Sequence, residues 1–267
     1  MTKLDSILVI GCGNMGGAML AGWLAGGIDP SRFTVVDPML PEAPAGVTLL
    51  RALPQARFDA VLVGVKPQML DDVAPAIAAL VDGNTTVLSI LAGVELDSLA
   101  ARFPAAGALV RIMPNLAAAI GKSPVALVER GLDDAGRDAV HGLMQPLGAP
   151  EWLAGEDLFD LVTALAGSGP AFVYRYIDAL AEAAANLGLP RDQADRLAVA
   201  TVDGAAALAA ASPHSPGELA RRVASPGGTT QAGLDVLDAD KALVRLAEAT
   251  LRAARDRGAE MAKAARG

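Results

Sequence analysis

The stretch ILVIGCGNMGG, residues 7–17, decides the fold of this chain. It joins four apolar residues to the pattern G-x-G-x-x-G, and a helix is predicted from Asn14 onward. A strand, a glycine turn and a helix in this order are typical of the phosphate-binding start of a dinucleotide-binding βαβ unit. Gly11 permits the tight turn, Gly13 lets the main chain approach a pyrophosphate, and Gly16 lets the helix pack close to its strand. A glycine turn needed only for packing is the alternative.

The whole turn is a candidate cofactor site, because its free N–H groups and the positive end of the helix dipole attract phosphate. Cys12 lies inside the turn, where we expect a small side chain and not a redox thiol. The predicted cofactor-binding residues of the turn are Gly11, Cys12, Gly13, Asn14, Met15 and Gly16.

Short apolar runs continue to alternate with helical stretches after this turn. Most are continuous apolar runs, as in strands that are buried on both faces of a parallel sheet. The repeated strand–helix unit predicts an α/β fold with a doubly wound, mostly parallel sheet. A barrel would need eight closing units, whereas the pattern stops near residue 155. The predicted strands are residues 7–10, 33–36, 47–50, 60–65, 86–91, 109–113 and 125–128, with helices between them at 14–26, 68–81 and 132–147.

The composition changes after Glu156, where strand patterns end and Ala-rich helical stretches begin. We therefore predict a dinucleotide-binding domain over residues 1–155 and an all-helical domain over residues 156–267. Alanine on nearly every helix face indicates burial on more than one side, so we expect a homodimer or larger homo-oligomer built through the helical domain. A helical cap folded onto its own sheet domain is the alternative. The predicted helices are residues 157–187, 190–211, 215–223 and 240–264.

The net charge and the distribution of charged residues exclude some classes of binding partner. The 267 residues carry a net charge of −8 without a Lys/Arg cluster, so we expect neither a nucleic-acid nor a membrane partner. Residues 6–28 are uncharged, but seven glycines argue against a membrane helix or a signal peptide there. The single cysteine, Cys12, cannot form an intramolecular disulfide, which favours a cytoplasmic, reducing compartment. No metal site is predicted.

Asp37 ends the second predicted strand, 26 residues after Gly11. A carboxylate at this position accepts hydrogen bonds from the adenosine ribose and repels a 2′-phosphate, which favours NAD over NADP. No Lys or Arg occurs between Asp37 and Leu50 to offset that repulsion. The alternative is that Asp37 only starts a turn with Pro38.

Turn-forming and polar residues also follow three other predicted strands. Ligands of open α/β sheets lie beyond the carboxyl ends of the strands, although each of these segments also fits an ordinary loop. The candidate cofactor-binding residues at these strand ends are Val65, Lys66, Pro67, Ala92, Gly93 and Asn115.

The segment SPGGTT, residues 225–230, is the most unusual part of the helical half. Two glycines and three hydroxyl residues precede a helix predicted to begin near Thr230. Consecutive N–H groups at a helix N-terminus suit a carboxylate, and the hydroxyls can share a proton-bearing hydrogen bond. An ordinary helix start is the alternative. The segment AGSGPA, residues 166–171, predicts either a break in the first long helical stretch or a point of close helix contact.

Five segments in this order, GCGNMGGAM, VKPQ, RIMPN, AGSGPAF and VASPGGTTQAG, resemble the pyrroline-5-carboxylate reductase family over essentially the whole chain. The resemblance implies a Rossmann-type domain followed by a helical dimerisation domain. It also implies an NAD(P)H-dependent oxidoreductase that reduces the cyclic imine 1-pyrroline-5-carboxylate to L-proline, the last step of proline biosynthesis. Many relatives prefer NADPH, whereas Asp37 favours NADH.

The resemblance further implies roles for single residues. The main-chain N–H groups of the 225–230 loop would bind the substrate carboxylate, and Thr230 would lie near the ring nitrogen. The nicotinamide-ribose end of the cofactor would be lined by Lys66, Pro67, Ala92, Gly93 and Asn115.

Reduction of an imine needs a hydride on carbon and a proton on nitrogen, so the protein must mainly hold, orient and protonate the substrate. We expect neither His141, on an outer helix, nor His214, in a loop, to be catalytic. Our hypothesis assigns the catalytic roles to Thr230, which hydrogen-bonds the imine nitrogen, and Ser225, which braces the loop. The predicted carboxylate-binding residues are Gly227, Gly228, Thr229 and Thr230.

Two other function classes stay open. Another two-domain Rossmann imine reductase or β-hydroxyacid reductase would carry a catalytic lysine in the first long helix after residue 156, but no lysine occurs between Lys122 and Lys241. A non-catalytic dinucleotide sensor would tolerate loss of the Ser/Thr pattern at residues 225–230, which is intact.

Overall fold

The computed structural model describes residues 4–266, without the side chains of 261, 262 and 264–266. Within this range the strands form one eight-stranded sheet with the order β3-β2-β1-β4-β5-β6-β7-β8. The strands are β1 Ile7–Ile10, β2 Phe33–Val36, β3 Thr48–Leu50, β4 Ala60–Val63, β5 Thr86–Ser89, β6 Ala108–Met113, β7 Ser123–Arg130 and β8 Gly148–Trp152.

The sheet is parallel except where β6 pairs with β7. Strand β1 lies between β2 and β4, with Val9 opposite Val35 on one side and Leu62 on the other. The strand order therefore reverses direction at β1, and the crevice at its carboxyl end is where open α/β sheets bind their ligands. The predicted doubly wound, mostly parallel sheet is confirmed.

Alternate residues of the central strands enter two separate cores. Ile7 and Val9 face the first core with residues of α1 (Asn14–Ala25) and α4 (Asp134–Met144). Leu8 and Ile10 face the second, with residues of α2 (Leu70–Ala78) and α3 (Leu96–Arg102). Burial on both faces explains why the strands are continuous apolar runs and do not alternate with polar residues.

The largest side chains of the first core fix α1 on the sheet. The rings of Trp23 and Phe33 stack with centroids 5.2 Å apart. The indole N–H of Trp23 donates to the carbonyl of Leu143 at 2.7 Å, so the buried ring leaves no unpaired donor. These contacts hold the helix that begins at the glycine turn.

The later part of the chain is helical, as predicted. The short helix α5 (Phe159–Val162) continues as one π-helical turn, Thr163–Gly167, before the next helix begins. The sequence AGSGPA thus produces a change of helix type where a break was predicted. The remaining helices are α6 Gly169–Asn186, α7 Arg191–Ala211, α8 Pro216–Val223, α9 Thr229–Asp238 and α10 Ala242–Arg266.

By its contacts the chain divides into a sheet unit, residues 1–168 with 254–267, and a helical unit, residues 169–253. The helical unit has a small alanine core between α6 and α7, formed by Ala181, Ala194 and Ala198. The functional division predicted after residue 155 stays a prediction. Among the described residues, no helix combines the length and apolar character that a membrane crossing needs.

Candidate cofactor and substrate sites

The structure gives a different reason for glycine at each of three positions in the first turn. Gly11 has φ +86°, and an added Cβ would lie 2.8 Å from the main chain of Gly64. An added Cβ at Gly16 would lie 2.6 Å from the carbonyl oxygen of Gly11. An added Cβ at Gly13 meets no atom within 4 Å. Packing therefore requires Gly11 and Gly16, while the absence of a side chain at Gly13 leaves open space above the turn.

The N-terminus of α1 faces that open space without a cap. Gly13 is the N-cap residue, no side chain caps the helix, and its first turn holds no acidic residue. The first N–H groups of a helix have no partner within the helix, and the helix dipole adds positive potential there. An anionic pyrophosphate fits this arrangement better than a packing role alone does.

The carboxylate of Asp37 is bonded to the backbone on two sides. Its Oδ2 accepts from the N–H of Cys12 at 2.8 Å, and its Oδ1 accepts from the N–H groups of Met39 at 2.8 Å and Leu40 at 3.2 Å. Asp37 therefore starts the turn with Pro38, and it also contacts the glycine turn. The turn interpretation of this residue is confirmed, whereas ribose binding by its carboxylate stays a prediction.

The thiol of Cys12 stays neutral in this environment. Burial, and then the negative charge of Asp37, raise the pKa of the thiol above its ordinary value. A thiolate is the reactive form of cysteine, so the position does not favour redox chemistry. The expectation of a small, unreactive side chain in the turn agrees with this.

Arg51 belongs to the same corner, and the sequence reasoning missed it. It directly follows β3, and its Nη1 donates to the carbonyls of Asp37, at 2.9 Å, and Leu40. Its Nη2 donates to the carbonyl of Pro41 at 3.0 Å. Arg51 lies one residue beyond the range 37–50, which contains no Lys or Arg. The parallel pairing of β2 with β3, which a sequence pattern alone does not fix, is what brings Arg51 to Asp37.

The other predicted cofactor residues also lie at the carboxyl edge of the sheet, because β1, β2, β4, β5 and β6 run parallel. Lys66 is exposed and precedes the turn Pro67–Met69, and Val65 is half-buried beside it. Ala92 is exposed, and Gly93 has φ +74°. These residues follow β4, which pairs with β1, and β5, the next strand in the sheet.

The side chain of Asn115 is buried and hydrogen-bonded within the protein, which the sequence does not indicate. Its side chain is buried, and its Nδ2 donates to the carbonyl of Ala166, in the π-turn, at 2.9 Å. Its Oδ1 accepts from the N–H of Ala117 at 2.9 Å, and its own N–H donates to the Oγ of Ser123 at 2.8 Å. The residue ends β6 at the predicted edge, but its carboxamide binds other parts of the chain.

The SPGGTT loop is a second uncapped helix start, in the helical unit. Gly227 has φ +71°, and Gly228 donates its N–H to the carbonyl of Ser225 at 2.9 Å. Gly228 is the N-cap of α9, which has no side-chain cap and no acidic residue in its first turn. Thr229 and Thr230 are exposed. Free N–H groups next to two hydroxyls can bind a carboxylate and hydrogen-bond a neighbouring polar atom.

The side chain of Ser225 packs against the backbone of this loop. A Cβ added at Gly228 would collide with the Oγ of Ser225, so the hydroxyl and the glycine backbone are in close contact. Gly227 meets no atom within 4 Å where a Cβ would be. The loop thus has a packed side at Gly228 and an open side at Gly227.

Comparison with known proteins identifies the family. Residues 156–261 match the sequence model of the family described as "Pyrroline-5-carboxylate reductase dimerisation". The chain is 34% identical to a pyrroline-5-carboxylate reductase of Pseudomonas aeruginosa over 265 residues, which cover 96% of this chain and 97% of the relative. The chain belongs to the pyrroline-5-carboxylate reductase family.

Other comparisons agree with the family assignment. A pyrroline-5-carboxylate reductase of Escherichia coli is 32% identical over 86% of this chain and 88% of its own length. The solved structure of a pyrroline-5-carboxylate reductase from Coxiella burnetii has a TM-score of 0.89 and 30% identity, and covers 97% of this chain and 98% of its own. The predicted family and fold class are both confirmed.

Two further findings concern the separate domains of this pyrroline-5-carboxylate reductase family member. Residues 6–93 match the model described as "NADP oxidoreductase coenzyme F420-dependent". A Plasmodium falciparum pyrroline carboxylate reductase with NADP bound shares the fold, with a TM-score of 0.79 and 22% identity over 97% of this chain and 98% of its own. Residues 6–93 are thus similar to an NADP oxidoreductase domain, and the dimerisation match indicates a homo-oligomer.

Proposed function

We propose that this chain reduces 1-pyrroline-5-carboxylate to L-proline with NAD(P)H, as the last step of proline biosynthesis. The observation that carries the substrate assignment is the SPGGTT loop, which forms an uncapped helix start flanked by exposed threonines. A substrate with one carboxylate and one imine nitrogen matches a site that offers N–H groups and hydroxyls. The intact loop also argues against a sensor without catalysis.

The substrate half of the reaction is assigned to the loop. The N–H groups of Gly227 and Thr229 hold the carboxylate at the positive end of α9, while Gly228, whose own N–H is bonded to Ser225, keeps the site free of a side chain. The hydroxyl of Thr230 hydrogen-bonds the ring nitrogen and, where the imine is neutral, relays a proton from water to that nitrogen. Ser225 keeps the loop in shape through its contact with Gly228. No stronger acid or base is needed for an imine that is already protonated.

The cofactor half is assigned to the carboxyl edge of the sheet. A reduced nicotinamide supplies the hydride when the cofactor is bound. The uncapped N-terminus of α1 holds the pyrophosphate at residues 11–16, and Asp37 contacts the adenosine ribose. Asn115 positions the nicotinamide end through the π-turn. The residues proposed to line that end are Val65, Lys66, Pro67, Ala92 and Gly93.

The assembly and the compartment are also part of the proposal. Large apolar side chains of the helical unit are exposed in a single chain, such as Tyr174 at 67%, Leu187 at 89% and Val236 at 73%. Apolar surface of this kind favours association, so we assign a homodimer or larger homo-oligomer to the domain over residues 156–267. A single neutral cysteine fits a cytoplasmic-type reducing compartment.

One assay tests the function. Nicotinamide absorbance is followed with 1-pyrroline-5-carboxylate and with NADPH or NADH in turn, for the wild type and Thr230→Ala. Loss of this donor should lower kcat/KM about 100-fold or more, by analogy with an oxyanion-hole donor. Thr201→Ala, an exposed helical threonine of the same unit, is the matched control.

The outcomes separate the competing functions. A wild type that binds the dinucleotide but does not reduce the imine would favour the sensor. Near-normal turnover in Thr230→Ala would remove Thr230 from the mechanism. Turnover of open-chain imines or hydroxy acids in preference to the cyclic imine would favour another reductase of the same architecture.

A further inference from the structure

The carboxyl ends of β2 and β3 form one corner of the sheet. Val36 lies opposite Leu50, and the N–H of Asp37 donates to the carbonyl of Leu50 at 3.3 Å. The loop of residues 37–41 folds around the guanidinium of Arg51, which bonds the three carbonyls described above. The corner therefore holds an anionic and a cationic side chain in adjoining positions.

The charge of Arg51 is not neutralised by these contacts. All three acceptors are neutral carbonyls, and Arg51 forms none of the ion pairs recorded within residues 4–266. The two oxygens of Asp37 are directed instead at the N–H groups of Cys12, Met39 and Leu40. A guanidinium has five N–H donors, so two remain uncommitted on an exposed side chain.

The corner is joined to the phosphate-binding turn through Asp37 and the N–H of Cys12, 2.8 Å from Oδ2. In a dinucleotide-binding sheet the adenosine ribose is recognised at this strand end, where a carboxylate favours ribose hydroxyls and an arginine accommodates a 2′-phosphate. A cation held rigidly by main-chain carbonyls pays little entropy when it meets a phosphate, and its planar fork suits phosphate oxygens.

We propose that Arg51 recognises the 2′-phosphate of NADPH and determines how well this chain accepts NADPH beside Asp37. This inference rests on the proposed dinucleotide binding. Asp37 by itself would disfavour the phosphate. Arg51 supplies the opposing charge from the end of the neighbouring strand, so the two residues act on the cofactor preference in opposite directions.

The experiment measures cofactor binding without the imine. Nicotinamide fluorescence gives Kd for NADPH and NADH with the wild type, Arg51→Gln and Arg57→Gln. Gln keeps an amide donor for the loop carbonyls but removes the charge. We expect Arg51→Gln to raise Kd for NADPH about tenfold or more, since a charge-assisted bond is lost, and to change Kd for NADH less than about threefold.

Arg57→Gln is the matched control. Arg57 is also an exposed arginine of the sheet unit, and it lies 3.7 Å from Asp82, in the loop before β5, at the opposite edge. It removes the same charge and should leave both Kd values within about twofold, because exposed charges further apart than the Debye length are screened. Competition by 2′,5′-ADP and 5′-AMP should reproduce the result without a nicotinamide ring.

Two more variants keep the interpretation clear. Arg51→Lys retains the charge but loses the planar fork, so its NADPH/NADH ratio of Kd values should lie between those of the wild type and Arg51→Gln. Asp37→Asn should shift that ratio towards NADPH, the direction opposite to Arg51→Gln. If Arg51→Gln does not fold, Arg51→Met takes its place, since it also removes the charge: a selective rise in Kd for NADPH supports the proposal, and an equal rise for both cofactors or no rise overturns it.

The remaining outcomes are equally decisive. Equal weakening of NADPH and NADH by Arg51→Gln would make Arg51 a support of the loop only, and would overturn the specificity role. An unchanged ratio would do the same. A wild type that binds neither dinucleotide would overturn the proposed function together with this inference, whereas binding without imine reduction would leave the role of Arg51 intact.

Discussion

The carboxamide of Asn115 joins the end of β6 to the π-turn by donating from Nδ2 to the carbonyl of Ala166 at 2.9 Å. Both residues are buried, at 5% and 8% exposure, so neither group has water as a ready replacement. The π-turn breaks the regular helical hydrogen bonds, and its carbonyl finds this side chain instead. One residue thus shapes both the edge of the sheet and the start of the helical half.

Asn115→Ala should therefore destabilise the sheet unit. It leaves the carbonyl of Ala166 and the N–H of Ala117 without their partner, at a cost of about 1–3 kcal/mol in the free energy of unfolding. Urea denaturation measures this value. Asn84→Ala, in an exposed turn, is the control and should stay within about 0.5 kcal/mol. Equal stabilities for the two variants would show that the contact contributes nothing.

A second buried contact should show strong coupling between its partners. The guanidinium of Arg111, 3% exposed, lies 2.6 Å from Oε1 of Glu156 and 3.9 Å from the centre of the Phe159 ring. The same carboxylate oxygen accepts from the N–H of Leu96 at 2.8 Å and thereby caps α3. Strand, helix and the segment leading to α5 meet at one ion pair.

Glu156→Gln should cost more than replacement of both partners. The single change leaves a buried guanidinium without its counter-charge, a loss of about 3–5 kcal/mol for a fully buried pair and less here, since Glu156 is 28% exposed. Arg111→Met combined with Glu156→Gln removes that uncompensated charge. A double-mutant cycle by urea denaturation should give a coupling free energy of about 1 kcal/mol or more. Additive costs would contradict the interpretation.

The strands with continuous apolar runs were predictable because burial on both faces leaves little choice of residue. Strand β8 was missed: it contains Gly148, Pro150 and Glu151, and every second residue is exposed, as fits an edge strand. The predicted run at 60–65 also ends earlier, at Val63, where Gly64 contacts Gly11 instead of extending the strand.

The candidate sites were predictable where a motif is local, as in both glycine-rich turns. Contacts between residues distant in sequence were not. Arg51 reaches Asp37 only through the pairing of two strands, and Ala166 lies 51 residues after Asn115. The sequence shows which polar groups are present. It does not show which of them form hydrogen bonds with one another in the folded chain.

Substitutions at two glycines of the first turn test packing and cofactor binding separately. Gly13→Ala places a methyl group in open space, so the free energy of unfolding should change by about 1 kcal/mol or less. The same methyl group keeps the pyrophosphate from approaching the main chain, so the affinity for NADPH should fall at least about tenfold. Gly16→Ala instead meets the carbonyl of Gly11 and should destabilise the fold by about 1–3 kcal/mol.

Thermal unfolding and fluorescence titration measure the two effects. Gly142→Ala, in α4, also meets no atom within 4 Å and serves as a control away from the turn. It should leave NADPH binding unchanged and raise stability slightly, since alanine favours a helix more than glycine does. Normal NADPH binding by Gly13→Ala would support the packing-only alternative for this turn.

Cys12 should make the sheet unit less stable in alkali. Burial and Asp37 raise the thiol pKa above its reference of 9.0, so the unfolded chain ionises first. The contribution is therefore fully present below about pH 9 and is lost as the pH rises through the raised folded pKa. Urea denaturation between pH 7 and 10.5 should show a steeper fall in the free energy of unfolding for the wild type than for Cys12→Ala, because only the wild type has to bury a thiolate. Parallel curves for the two proteins would mean that the thiol ionises as easily inside the glycine turn as in the unfolded chain.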